Sequence, residues 1–160
     1  MKNKYLAFTL LTPLLSTSSA YAQNTAGKPN VIIILADDLG YGDLECYGEK
    51  NVKTPNVNKL AKQGFRFTDG HAVAATSTPS RYSMLTGEYS WRRPDTDVAA
   101  GNAGMIIKPG QYTMADMFKH AGYATAAIGK WHLGLGTETG TQDWNAPLPA
   151  ALGDLGFDYH

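Results

Sequence analysis

Asn30-Val31-Ile32-Ile33-Ile34-Leu35-Ala36 runs without a break into Asp37-Asp38. Seven residues rich in β-branched side chains, with no polar alternation, suit a strand covered on both faces, and such strands belong to parallel sheets. Working outward, Thr54-Pro55 reads as a helix N-cap and first helical residue. Val57, Leu60 and Ala61 share a face there, and Gly64 stops the helix. Phe65 to Phe67 reads as a short strand. Thr113 caps another helix, whose stripe Met114, Met117, Phe118, Ala121 has helical spacing and whose end is Gly122. Residues 123–128 return as a strand. Strand, helix, strand, helix, strand is the order of an open α/β sheet with right-handed crossovers.

The first residues lie outside that pattern. Lys2 and Lys4 precede an apolar run from Tyr5 to Leu15, then small polar residues, then Ala20-Tyr21-Ala22. This is the pattern of a secretory signal peptide, residues 1–22, cleaved before Gln23. The run is too short and too interrupted to span a bilayer, so the expectation is an exported protein, periplasmic or at the cell surface. Removing it leaves 12 basic and 14 acidic residues, a charge of −2, and no basic stripe suited to nucleic acid. With 43% apolar residues the chain can bury a core. Its one cysteine, Cys46, has no partner for an internal disulfide and reads as a buried structural thiol rather than a reactive one. The chain ends at Gly156-Phe157-Asp158-Tyr159-His160 with no closing element, so it is expected to stop inside a domain.

Three segments carry chemistry. Asp37 and Asp38 stand at the carboxyl end of the first strand, where ligands bind in open α/β sheets. Adjacent carboxylates repel unless a cation lies between them, which suits a hard metal such as Ca²⁺ or Mg²⁺; a plain Asp-Asp turn is the competing reading. The second is Ser77-Thr78-Pro79-Ser80-Arg81-Tyr82-Ser83-Met84-Leu85-Thr86-Gly87. Pro79 suits a first helical turn and Gly87 an end, which puts Ser77 at a helix N-terminus, where free N–H groups and the dipole favour an oxyanion. Arg81 follows one turn later. A capped surface helix explains the same residues. The third is Gly129-Lys130-Trp131-His132-Leu133-Gly134, where extended alternation points Lys130 and His132 to one side and Trp131 to the other. Each alone is weak. Together they place anion-handling groups at one sheet edge in three independent segments.

These segments resemble the sulfatase family, whose signature is Cys or Ser followed by x-Pro-x-Arg and a Leu/Met-Thr-Gly ending. It stands here as Ser77-x-Pro79-x-Arg81 with Leu85-Thr86-Gly87. Residues 30–42, 54–60, 113–122 and 129–134 follow the family pattern in order. The resemblance implies an alkaline-phosphatase-like α/β sandwich with a mostly parallel central sheet. Residues 23–160 then form only the N-terminal part of the catalytic domain. It further implies a sulfuric ester hydrolase acting on a sulfated sugar or aryl sulfate.

In that family the signature residue, here Ser77, is oxidised to formylglycine (3-oxoalanine) by a maturase, of the serine type in this case, before export. One hydroxyl of the aldehyde hydrate attacks sulfur; the other lets the sulfate leave by elimination. By the same resemblance Asp37, Asp38 and the residue at position 77 are ligands of Ca²⁺, Arg81 holds the formylglycine and ion cluster, Lys130 binds sulfate oxygens, and His132 hydrogen-bonds the hydrate and acts as base in the elimination. An Asp-Asn pair, another Lys and the His that protonates the leaving alcohol are absent from these 160 residues, so the chain by itself is expected to turn over little. Two alternatives stand beside this: a phosphohydrolase of the wider alkaline-phosphatase-like group, and a sulfated-glycan binder in which Ser77 stays unmodified. The stretch Tyr89-Ser90-Trp91-Arg92-Arg93-Pro94 reads as a packed helix exit or, less simply, as a sugar subsite.

Overall fold

The computed structural model describes residues 27–160, so the expected signal peptide lies outside the described residues. They divide into a segment ending at Leu35 and a compact unit, Ala36–His160. Three α-helices form: α1 (Pro55–Gln63), α2 (Ser77–Thr86) and α3 (Met114–His120). Short 3-10 turns stand at Tyr41–Asp43 and Glu45–Tyr47 before α1, at Ser90–Arg92 between α2 and α3, and at Leu152–Leu155 after α3. No helix among the described residues is long and apolar enough to cross a membrane.

The helix ends follow the sequence signals. Pro55 opens α1 and the Gly64 N–H closes it on the Leu60 carbonyl. Thr54 does not cap with its side chain, because its hydroxyl accepts from the Glu45 N–H; Glu45 in turn accepts from the Thr54 N–H and from Asn58. A carboxylate thus sits at the positive end of α1. Gly87, at φ +71°, ends α2 in the left-handed conformation that glycine adopts without steric cost. Thr113 and Asp116 cap α3 reciprocally, and the Thr113 hydroxyl also donates to the Leu155 carbonyl, tying the helix to the last 3-10 turn. The helix stops at His120, with Ala121 as its cap and Gly122 left-handed just beyond.

The strands differ from expectation. Residues 30–36 carry no ladder, and Val31 to Leu35 are 45 to 83% exposed. Residues 65–67 form no strand, and residues 123–128 contribute only an isolated parallel bridge, Ala126 with Tyr159. A parallel strand requires partners to take its N–H and C=O groups, and that bridge is the only sheet pairing among the described residues. Parallel pairing is seen, but a doubly covered sheet is not. The same holds for the α1 stripe, whose Val57 and Leu60 are exposed, and for Met117 on α3.

The core lies elsewhere, beneath α2. Tyr82, Leu85, Met105, Ile106, Ile107, Leu133, Ala150 and Leu155 form one buried cluster, each full burial of an aliphatic side chain being worth roughly 1.5–3 kcal/mol. Two segments cross over it and hydrogen-bond to each other: Ile106 N–H to the Leu133 carbonyl, Leu135 N–H to Ala103, Met105 N–H to Gly136. Gly134, at φ +71°, lies directly against the Gly104 backbone, where a Cβ has no room. This brace anchors residues 129–134 just after they present their side chains.

Candidate active site

Ser77 is the first residue of α2 and Arg81 stands one turn later, so the i, i+4 spacing alone brings them together. Arg81 Nε donates to Ser77 Oγ at 2.8 Å. Arg81 is 9% exposed and uses its other two guanidinium nitrogens across the fold: Nη1 donates to the Lys130 carbonyl at 2.6 Å and Nη2 to Asp37 Oδ1 at 3.0 Å. Lys130 Nζ closes the cluster on Asp37 Oδ2 at 2.7 Å. Three segments far apart in sequence, at residue 37, at 77–81 and at 130, share one spot. A planar fork explains why arginine serves here: one rigid cation addresses three acceptors in one plane.

Both oxygens of Asp37 therefore face cations. The Lys130 ammonium holds its carboxyl below the ordinary 3.8, opposed by partial desolvation and reinforced by Arg81. Asp38 is left-handed at φ +56°, and its exposed carboxylate has no partner among the described residues. Thr76, the N-cap of α2, makes no side-chain hydrogen bond to the helix, so the first turn keeps the uncapped N–H groups that an oxyanion can use.

The expected pairing of Lys130 and His132 through extended alternation does not hold. Gly129 at φ +108° and His132 at φ +56° turn the chain left-handed twice within four residues, which breaks the alternation. Lys130 goes to Asp37, whereas His132 Nε2 lies 3.1 Å from the Ala99 carbonyl and His132 Nδ1 is buried without a partner among the described residues. Trp131 does pack, edge-on to Phe157, with its N–H on the Gly134 carbonyl. In the stretch after α2, Tyr89 and Trp91 stack with ring centroids 5.5 Å apart, Trp91 is 74% exposed, and Arg93 pairs with Asp95. Cys46 is free but only half-buried, not fully buried as expected, because it sits in a short 3-10 turn outside the core cluster.

Two residues of the site carry no signal in the sequence. Thr78 is fully buried and its hydroxyl donates to the His132 carbonyl at 2.9 Å while accepting from the Ala99 N–H at 3.0 Å. It occupies a variable position of the motif, and Ala99 lies in a featureless loop, so neither residue type nor spacing could mark them.

The donor set fits a hard cation in kind. Asp37, Asp38 and Ser77 all carry oxygen donors, the kind Ca²⁺ prefers. Each carboxylate oxygen has two lone pairs, so Asp37 can keep Arg81 and Lys130 and still offer an oxygen. In number the set is incomplete, since no group of three or more His, Cys, Asp or Glu side chains converges among the described residues, and Ca²⁺ takes 6–8 oxygens.

Comparison with known proteins gives this arrangement its context. An N-acetylgalactosamine-6-O-sulfatase of Bacteroides thetaiotaomicron is 54% identical over 132 residues, covering 82% of this chain and 26% of the relative. A mouse steryl-sulfatase is 41% identical over 152 residues, covering 89% of this chain and 24% of the relative. Among solved structures, a 6S-sulfatase described with Bacteroides thetaiotaomicron glycosaminoglycan metabolism superposes with a TM-score of 0.79 at 53% identity, over 82% of this chain and 27% of that one. The chain thus spans about a quarter of the length of the relatives it matches. The family profile described as Sulfatase matches residues 29–159, and with nearly all of the described residues inside that match, the chain belongs to the Sulfatase family.

Proposed function

We propose that the full-length protein is an exported hydrolase of sulfate esters in which these residues form part of the active centre. The observation that carries the reading is the Arg81 fork, which joins the signature Ser77 to Asp37 and to the Lys130 segment in one cluster. Oxidised to formylglycine, position 77 supplies an aldehyde hydrate with a nucleophilic hydroxyl and a second hydroxyl for release of sulfate. Asp37, Asp38 and the position-77 oxygen, with further oxygen ligands from the rest of the protein, would hold a calcium ion, which would supply Lewis-acid charge.

The placement of the chain's own groups supports a role for each. Arg81 fixes the position-77 oxygen and adds a permanent positive charge beside it. Lys130, whose side chain is half exposed, can exchange part of its hold on Asp37 for a sulfate oxygen. The first turn of α2 adds N–H groups. His132 offers a nitrogen that can accept a proton as sulfate departs. The 54% identity to an N-acetylgalactosamine-6-O-sulfatase supports a sulfated glycan, with a hexosamine 6-sulfate as the first candidate substrate. A serine-type maturase acting before export, residues 1–22 as signal peptide and a periplasmic or surface location complete the proposal.

The test is an assay of the full-length protein on matched sulfate and phosphate esters of one aryl alcohol and one hexosamine. Sulfate release should dominate. Preference for phosphate would assign the site to a phosphohydrolase, and binding of sulfated sugars with no turnover would assign it to a binding protein.

A further inference from the structure

The Thr78 hydroxyl, the His132 segment and the loop at Ala99 make a closed ring. Thr78 Oγ1 has one hydrogen, and the His132 carbonyl can only accept, so the 2.9 Å contact uses that hydrogen. The Ala99 N–H can only donate, so its 3.0 Å contact uses a lone pair of the same oxygen. The Ala99 carbonyl can also only accept, so His132 Nε2, 3.1 Å away, must carry its hydrogen. That leaves Nδ1, which is buried and without a partner among the described residues, as the bare nitrogen of a neutral ring. A proton there would be buried unpaired. His132 is also left-handed at φ +56°, a conformation that a non-glycine residue keeps only where its surroundings over-determine it. The hydrogen bond from Thr78 to the His132 carbonyl is such a constraint, and Thr78, fully buried, has no water to exchange with.

We propose that Thr78 is a positioning residue which, through this ring with Ala99, holds His132 as the Nε2–H tautomer and keeps Nδ1 as its bare nitrogen. The ring stands on the geometry alone; what Nδ1 accepts a proton from rests on the sulfatase reading. Thr78 touches no reacting atom, and acts by fixing which nitrogen of another residue can take a proton.

Nitrogen NMR of the full-length protein with ¹⁵N-labelled histidine tests it directly, the His132 signals being identified by their loss in His132→Gln. The wild-type spectrum should show Nε2 protonated and Nδ1 bare. Thr78→Val, which keeps the shape and deletes the hydroxyl, should give a mixture of tautomers, and Thr78→Ser should restore the single one. On an aryl sulfate, kcat of Thr78→Val should fall by about tenfold or more with KM within about threefold of wild type, as expected for a misplaced catalytic group. Thr78→Ser should recover most of the loss.

A wild-type ring protonated on Nδ1, or on both nitrogens, overturns the proposal, and so does a folded Thr78→Val whose tautomer matches wild type. If Thr78→Val does not fold, the wild-type and Thr78→Ser spectra still decide. A wild-type protein with no sulfatase activity but the expected tautomer would sink the sulfatase reading and leave the ring standing.

Discussion

Arg81→Lys is the perturbation that isolates geometry from charge. The substitution keeps one positive charge near Asp37 but replaces a three-nitrogen fork by a single ammonium on a flexible stem. Arg81 now reaches Ser77 Oγ at 2.8 Å, the Lys130 carbonyl at 2.6 Å and Asp37 Oδ1 at 3.0 Å through three different nitrogens. One ammonium can keep the attraction to Asp37, yet it cannot also meet the other two acceptors, which lie on different elements. The two lost bonds are charge-assisted and largely shielded from water. Taken at the low end of the range for such bonds, about 1.5 kcal/mol each, they amount to roughly 3 kcal/mol.

If that energy is used to hold the position-77 oxygen where the sulfate is attacked, the loss appears in kcat/KM as about a hundredfold. The assay is sulfate release from a chromogenic aryl sulfate by the full-length variant, with peptide mass spectrometry confirming that position 77 is matured as in wild type. A matured Arg81→Lys enzyme within about fivefold of wild type would refute the reasoning, because a lone charge would then do what is attributed here to the fork.

Two further outcomes follow from the same cluster and its support. In metal-free protein the Asp37 carboxyl should titrate below 3.8, because the Lys130 ammonium and the Arg81 guanidinium favour its ionised form; its contribution to stability should be complete above 3.8 and fade as pH falls through the lower folded-state value. A ¹³C titration midpoint at or above 3.8 would contradict the pairing. Gly134→Ala forces a left-handed alanine and drives its Cβ into the Gly104 backbone, so it should destabilise by at least about 2 kcal/mol in urea unfolding and displace Lys130; a neutral effect would show that the brace does not hold the site.

The parts of this arrangement that were legible in the sequence are the local ones. Pro55, Gly64, Gly87 and Thr113 mark helix ends by backbone chemistry that operates within a few residues, and all four stand at or beside the observed ends. Ser77 and Arg81 meet because a helix repeats every 3.6 residues. The meeting of Asp37 with Lys130 spans 93 residues, and only the rule that ligands gather at strand ends anticipated it. Residues 30–36 read as a central strand because their composition reports what they would bury, whereas a strand exists only when neighbours take its hydrogen bonds. His132 went astray for a related reason. Alternation assumes extended backbone, and two positive φ angles within four residues, at Gly129 and His132, remove it. Thr78 and Ala99 were invisible because a hydroxyl and a main-chain amide look alike wherever they stand; their role is created by a contact across 21 residues in one direction and 54 in the other.

The most direct measurement is the mass of the peptide containing position 77, taken from the full-length protein made by its native host. The account predicts a residue lighter than serine by two hydrogens, as an aldehyde requires. An intact serine at position 77 in folded, exported protein that still hydrolyses sulfate esters would contradict it.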